Sequence, residues 1–187
     1  MIGFRREGDA LVAEFEEVEV ALVSSLVAQV DELLGGGQVG VAPGPSEDPF
    51  DAWAGEFGDG VALDDADPVI ARLFPDPYPD DPVASAEHKR YTRDALRRGR
   101  VDDAQHVLAD LDATQGGEHP LVVDVAHAEA WIKTLNGVRL SLAVRLGIES
   151  DADHRGLERM SPRDPRYQVV AIYDWLAVVL ESLLESL

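Results

Sequence analysis

The chain has 187 residues, about one domain's length, and its 16 Lys plus Arg against 36 Asp plus Glu give a formal net charge of −20. Such a charge repels nucleic-acid phosphates and anionic lipid, so neither direct nucleic-acid binding nor membrane attachment is expected. The chain has no cysteine, which excludes disulfides, thiolate metal sites, a cysteine nucleophile and thiol switching within it, while a hydrophobic share of 45% suffices for a packed core.

The N-terminal MIGFRREGDA lacks the apolar run and small-residue cleavage site of a signal peptide. The apolar stretches fall short of the ~20 residues that span a bilayer, so the expected compartment is the cytoplasm. Residues 2–6 and 10–13 are short runs split by Glu7-Gly8-Asp9, the pattern of a small hairpin. Over 14–34 the spacing predicts a helix with Phe15, Val18, Leu22, Leu26, Val30 and Leu33 on one face. Glu14, Glu16, Glu17 and Glu19 fall at its start, where the helix dipole favours carboxylates, and Gly35 is its stop.

Residues 35–66 are rich in Gly, Pro and acids and predict a long, mobile loop, with Phe50, Trp53 and Phe57 spaced for a short docking helix. From Glu47 to Asp81 there are 11 acidic residues and one basic residue, Arg72. Asp67-Pro68, Asp81-Pro82 and Asp164-Pro165 each read as a cap followed by a first helical position. Between the first two, PDPYPD (75–80) fixes an extended connector. Residues 82–100 are helical and basic, and 101–113 continue them across Gly99 until Gly116-Gly117 breaks the run.

Val125, Ala128, Trp131, Leu135, Val138, Leu142 and Leu146 predict a helix over 121–146, ended by Gly147, with a polar loop at 148–163. The last helix runs from Asp164-Pro165 to Leu187. Its apolar positions cover well over half the circumference, with Asp174, Glu181 and Glu185 on a narrow polar side. So wide a face implies a central core helix or an oligomer interface, such as a homodimer through this helix. The predicted fold is mainly α, a compact single-domain bundle of about five or six helices with a small N-terminal β-hairpin.

No spacing here supports catalysis. His127-Ala-Glu129 echoes a zinc deaminase HxE but lacks the thiolates, and Asp151, Asp153 and His154 lack a calcium-loop pattern. Gly35-Gly36-Gly37 is followed by no GK[ST], and no GxSxG elbow occurs. No catalytic, metal or cofactor residues are assigned. Arg139 and Arg145 flank the apolar stripe of the 121–146 helix, and structural ion pairs with Asp174 or Glu181 are expected. The most unusual local feature is Lys89, Arg90, Arg93, Arg97, Arg98 and Arg100, six of the 16 positive charges within twelve residues. They either pair with the acidic 47–81 segment and the first helix, or form a face for an acidic partner.

Three blocks carry a resemblance: DPVIARLFPDPYPDDPVASAEHKRYTRDALR (67–97), WIKTLNGVRLSLAVRLGI (131–148) and YDWLAVVLESLLESL (173–187). With the N-terminal FRR, they resemble an actinobacterial family designated domain of unknown function twenty-seventeen. An actinobacterial origin agrees with a GC-rich codon supply, since 14 of the 16 basic residues are Arg. Where that family has Asn-Asp before Arg-Leu, this chain has Asn136-Gly137. The resemblance implies a transcription-linked interaction protein. One branch comprises oxidative-stress regulators that work with a stress sigma factor and sense through a cysteine pair, which this chain cannot supply. The family's gene neighbourhood implies a Clp protease adaptor as the alternative, and an uncharacterised enzyme with a pocket between the last two long helices is a third. The expected partner is a sigma factor or RNA polymerase, met through Asp76, Tyr78 and Asp80 and the face formed by Arg90, Arg93 and Arg97.

Overall fold

A computed structural model describes residues 1–35, 67–157 and 159–187. The expected loop after Gly35, with its docking helix around Phe50, Trp53 and Phe57, lies outside the described residues. Strands β1 (Ile2–Glu7) and β2 (Ala10–Glu14) form the predicted hairpin, with Glu7 opposite Ala10 and Gly8 at φ 67° in the turn.

Strand β3 (Leu121–Asp124) adds antiparallel to the free edge of β2, giving the order β1-β2-β3. This corrects the helix predicted over 121–146. Leu121 and Val123 are buried while Val122 and Asp124 are exposed, an alternation of period two. Asp124 then caps a 3-10 turn over Val125–His127 by accepting from the Ala126 amide at 2.8 Å. Only at Ala128 does the α-helix begin.

Helix α1 (Glu17–Leu33) also starts later than the spacing predicts. Glu14 belongs to β2, and Glu16 is the N-cap, its amide donating to the Glu19 carboxylate at 2.8 Å. Of the four glutamates, Glu17 and Glu19 therefore occupy the first turn. The buried face is formed by Val20, Val23, Leu26, Val27 and Val30, and Val18 is exposed. Phe15 is buried just before the helix opens, and Gly35 follows it at φ 77°.

Helix α2 (Pro68–Leu73) is capped by Asp67, which accepts from the Val69 amide at 2.7 Å. Helix α3 (Pro82–Asp112) is capped by Asp81 through the Val83 and Ala84 amides and runs unbroken through Gly99. Helix α4 (Ala128–Leu146) ends on Gly147 at φ 71°. A short helix, α5 (Asp151–Leu157), stands where a polar loop was predicted. The Asp153 carboxylate nucleates it by accepting from the Ser150 amide at 2.8 Å and the Glu149 amide at 3.2 Å. Helix α6 (Tyr167–Glu185) opens after Asp164-Pro165, with Asp164 accepting from the Arg166 amide at 2.9 Å.

Among the described residues, six helices and a small sheet thus make the mainly α fold that the sequence predicts. Helix α4 is the central one, packed against α1, α2, α3 and α6. Its Trp131 is fully buried, and the indole N–H donates to Asp110 on α3 at 2.8 Å. Phe4 stands edge-on to both Trp131 and Phe15, joining sheet to helices. Helix α6 packs on α4 and β1, burying Leu176, Val179 and Leu183. By length and composition α6 is apolar enough to cross a membrane, which corrects the expectation that every apolar stretch falls short. Its outer side carries exposed Val178 and Leu184 beside Glu181 and Glu185.

Candidate functional site

The most unusual part of the surface is built by the first half of α3 and the connector before it. Between Pro82 and Asp103 the only buried residue of α3 is Ser85; continuous burial begins at Ala104, Val107 and Leu111. The helix therefore roots its C-terminal half in the core and overhangs with its N-terminal half. Val83, Tyr91 and Leu96 are exposed along that overhang.

The proline-rich connector folds back onto the overhang. The Ser85 hydroxyl donates to the Tyr78 carbonyl at 2.8 Å and accepts from the Tyr78 amide at 3.1 Å. Lys89 forms an ion pair with Asp76, and the Tyr78 ring stands edge-on to His88 with centroids 5.9 Å apart. Between connector and helix lies a groove of about 530 Å³, lined by Asp76, Tyr78, Lys89, Arg90 and Arg93 among others.

The structure thus gathers Asp76, Tyr78, Arg90 and Arg93 of the expected contact residues around one groove. Asp80 is exposed on the same connector but does not line it. Arg97 lies a turn further along, with its guanidinium against Gly35 at the end of α1. Arg90 lies over the ring of Tyr91, 4.7 Å from its centroid, and bonds its hydroxyl. Arg100 turns inward: it donates to the Leu73 carbonyl at 3.2 Å and stacks on Phe74. Burial lowers the Arg100 pKa, an effect that nearby Asp103 opposes. The six clustered cations are therefore not one face. Ser85 and Lys89, which shape the groove, were not singled out as contact residues. Lys89 was visible within the charge cluster, but nothing local marks Ser85.

The expected ion pairs fall differently. Asp174 faces His154 of α5, 2.7 Å away. Arg139 lies over the ring of Tyr173, 4.8 Å from its centroid. Arg145 is exposed in the last turn of α4, and Glu181 is exposed on α6. His127 lies tilted against His106 with ring centroids 5.1 Å apart, and Glu129 pairs with Lys133 at 2.8 Å. Among the described residues, no group of three or more His, Asp or Glu side chains is placed to hold a metal ion.

The model of one protein family, described as domain of unknown function (DUF2017), matches residues 1–187. The chain belongs to the DUF2017 family. Among curated relatives, the proteins named oxidative stress regulator AosR from Mycobacterium tuberculosis and Mycobacterium bovis are 33% identical over 134 residues. That match covers 66% of this chain and 60% of each relative, so the DUF2017 chain is similar to part of their length. No solved structure matches it.

Proposed function

We propose that this DUF2017 chain is a non-enzymatic regulator that acts by protein contact, with a stress sigma factor or RNA polymerase as its partner. The carrying observation is the overhanging half of α3. It presents Arg90 and Arg93 beside exposed Tyr91 and Tyr78, on a chain whose net charge is −20. Charge segregated in this way steers association with an acidic protein surface. Aromatic and Arg side chains are also the residue types that most often anchor such interfaces. The printed names of the AosR relatives support a role in regulating the response to oxidative stress. With no cysteine, this chain would carry that role without oxidation of thiols of its own.

The test is affinity capture from a native lysate, with the double variant Arg93→Glu, Arg97→Glu as control. Capture of sigma factor or polymerase by the parent chain is expected, and about tenfold or greater loss with the variant. Circular dichroism of the variant must match the parent. Capture of Clp components instead, or equal capture by both chains, overturns the reading.

A further inference from the structure

A second, smaller hollow of about 190 Å³ lies where α2, α4, α6 and the α4–α5 loop meet. Arg72, at the end of α2, and Arg139, in the middle of α4, both line it. Tyr173 forms one wall and holds Arg139 by its ring face. The Arg139 Nε is buried with no hydrogen-bond partner, an arrangement that a buried donor rarely keeps. Arg72 forms no ion pair or hydrogen bond with another described residue.

The lining also holds two carboxylates. Glu149 and Asp151 line the same hollow, and neither carboxylate forms an ion pair with either arginine. Two unpaired cations and two unpaired anions thus share one small space, separated by more than an ion-pair distance. Leu140 and Ile148 add apolar side chains to the lining. The volume is below the roughly 300–1,000 Å³ of sites that hold drug-sized molecules, so the occupant is small.

We propose that this hollow binds a small amino-acid zwitterion. Its carboxylate would sit at Arg72 and Arg139, where guanidinium groups offer paired donors. Its ammonium would face Glu149 and Asp151, and a short apolar side chain would cover Leu140 and Ile148. A bare inorganic anion would satisfy the arginines but meet the two carboxylates uncompensated. The site lies away from the α3 groove, so a ligand here would give the regulator an input that needs no thiol.

The test is calorimetric titration of the intact chain with L-alanine and L-valine, beside acetate and inorganic phosphate as separate arms. Saturable binding of at least one amino acid is expected, tenfold or more tighter than acetate and phosphate. Arg72→Gln, at an exposed position that leaves the core intact, should weaken it at least tenfold, and Glu149→Gln severalfold. Absence of saturable amino-acid binding, equal or tighter binding of acetate or phosphate, or unchanged affinity in a folded Arg72→Gln chain would overturn the proposal.

Discussion

Gly117 and Phe15 meet backbone to backbone: a Cβ at position 117 would stand 2.8 Å from the Phe15 carbonyl oxygen and 3.1 Å from the Glu17 amide. Gly117 also has φ +89°, which side-chain-bearing residues rarely adopt. The contact presses the turn after α3 onto the junction of β2 and α1. Gly117→Ala should therefore cost roughly 1–3 kcal/mol from strain and displacement together. Gly99, inside α3, has nothing within 4 Å of its Cβ position, so Gly99→Ala should instead stabilise by about 0.5–1 kcal/mol. Chemical denaturation of the two variants should give opposite signs; a shared sign would refute this account of the two glycines.

Burial pushes the Asp31 carboxyl pKa up from its ordinary 3.8. Asp31 is 1% exposed, and its Oδ1 finds no hydrogen-bond partner. The folded chain therefore holds this proton to higher pH than the unfolded chain does. Between the two pKa values the folded state binds more protons, so stability falls as pH rises through that window. Asp31→Asn removes the cost and should raise stability at pH 7 by roughly 1 kcal/mol, or ~2–4 °C in Tm. The gain should shrink as pH falls towards the ordinary carboxyl value. A gain that is constant with pH, or a loss at pH 7, would contradict the assignment.

Trp131 tests the centre of the core. Trp131→Phe keeps most of the buried ring and loses the bond to Asp110, a cost of about 1 kcal/mol. Trp131→Ala should cost ~3–5 kcal/mol. Thermal unfolding of both variants would check the ordering, and near-equal losses would mean that the hydrogen bond outweighs the ring's packing.

Ser85→Ala should release the connector without melting α3, because both of its bonds run to the backbone of Tyr78. The local cost is about 1–3 kcal/mol, which hydrogen exchange would read as about tenfold or faster exchange at the Tyr78 amide. Exchange at Val107 and Leu111, in the rooted half of the helix, should stay unchanged. Equal acceleration in both places would show that connector and core open as one unit.

The elements that local chemistry defines were legible in the sequence. Asp67-Pro68 and Asp81-Pro82 cap as their side chains dictate, and Gly8, Gly35 and Gly147 take the positive φ their positions require. The misreadings lie where two periods compete. Leu121 is in helical step with Val125, while Leu121 and Val123 alternate as in a strand, and the open edge of β2 decides between the two periods. At α1 the strand claims Glu14 and moves the helix start to Glu17. For the candidate site, the sequence supplied the residues of the connector and the basic stretch. It could not supply Ser85, whose role depends on a chain reversal seven residues long. Nor could it show that Arg100 faces inward, since helical spacing alone puts it among its exposed neighbours.

One uninterrupted helix carries both the α3 groove and part of the core. The fifteen residues from Pro82 to Leu96, at 1.5 Å each, give a reach of about 22 Å beyond the packed half. A partner gripping the tip would thus work against a stiff cantilever, not a hinge. Torque applied there would arrive at Ala104, Val107 and Leu111, and from Asp110 at the indole of Trp131. Mechanical load on the tip and the stability of the foundation become one quantity, so loosening the root should blunt the grip even where every contact at the tip is intact.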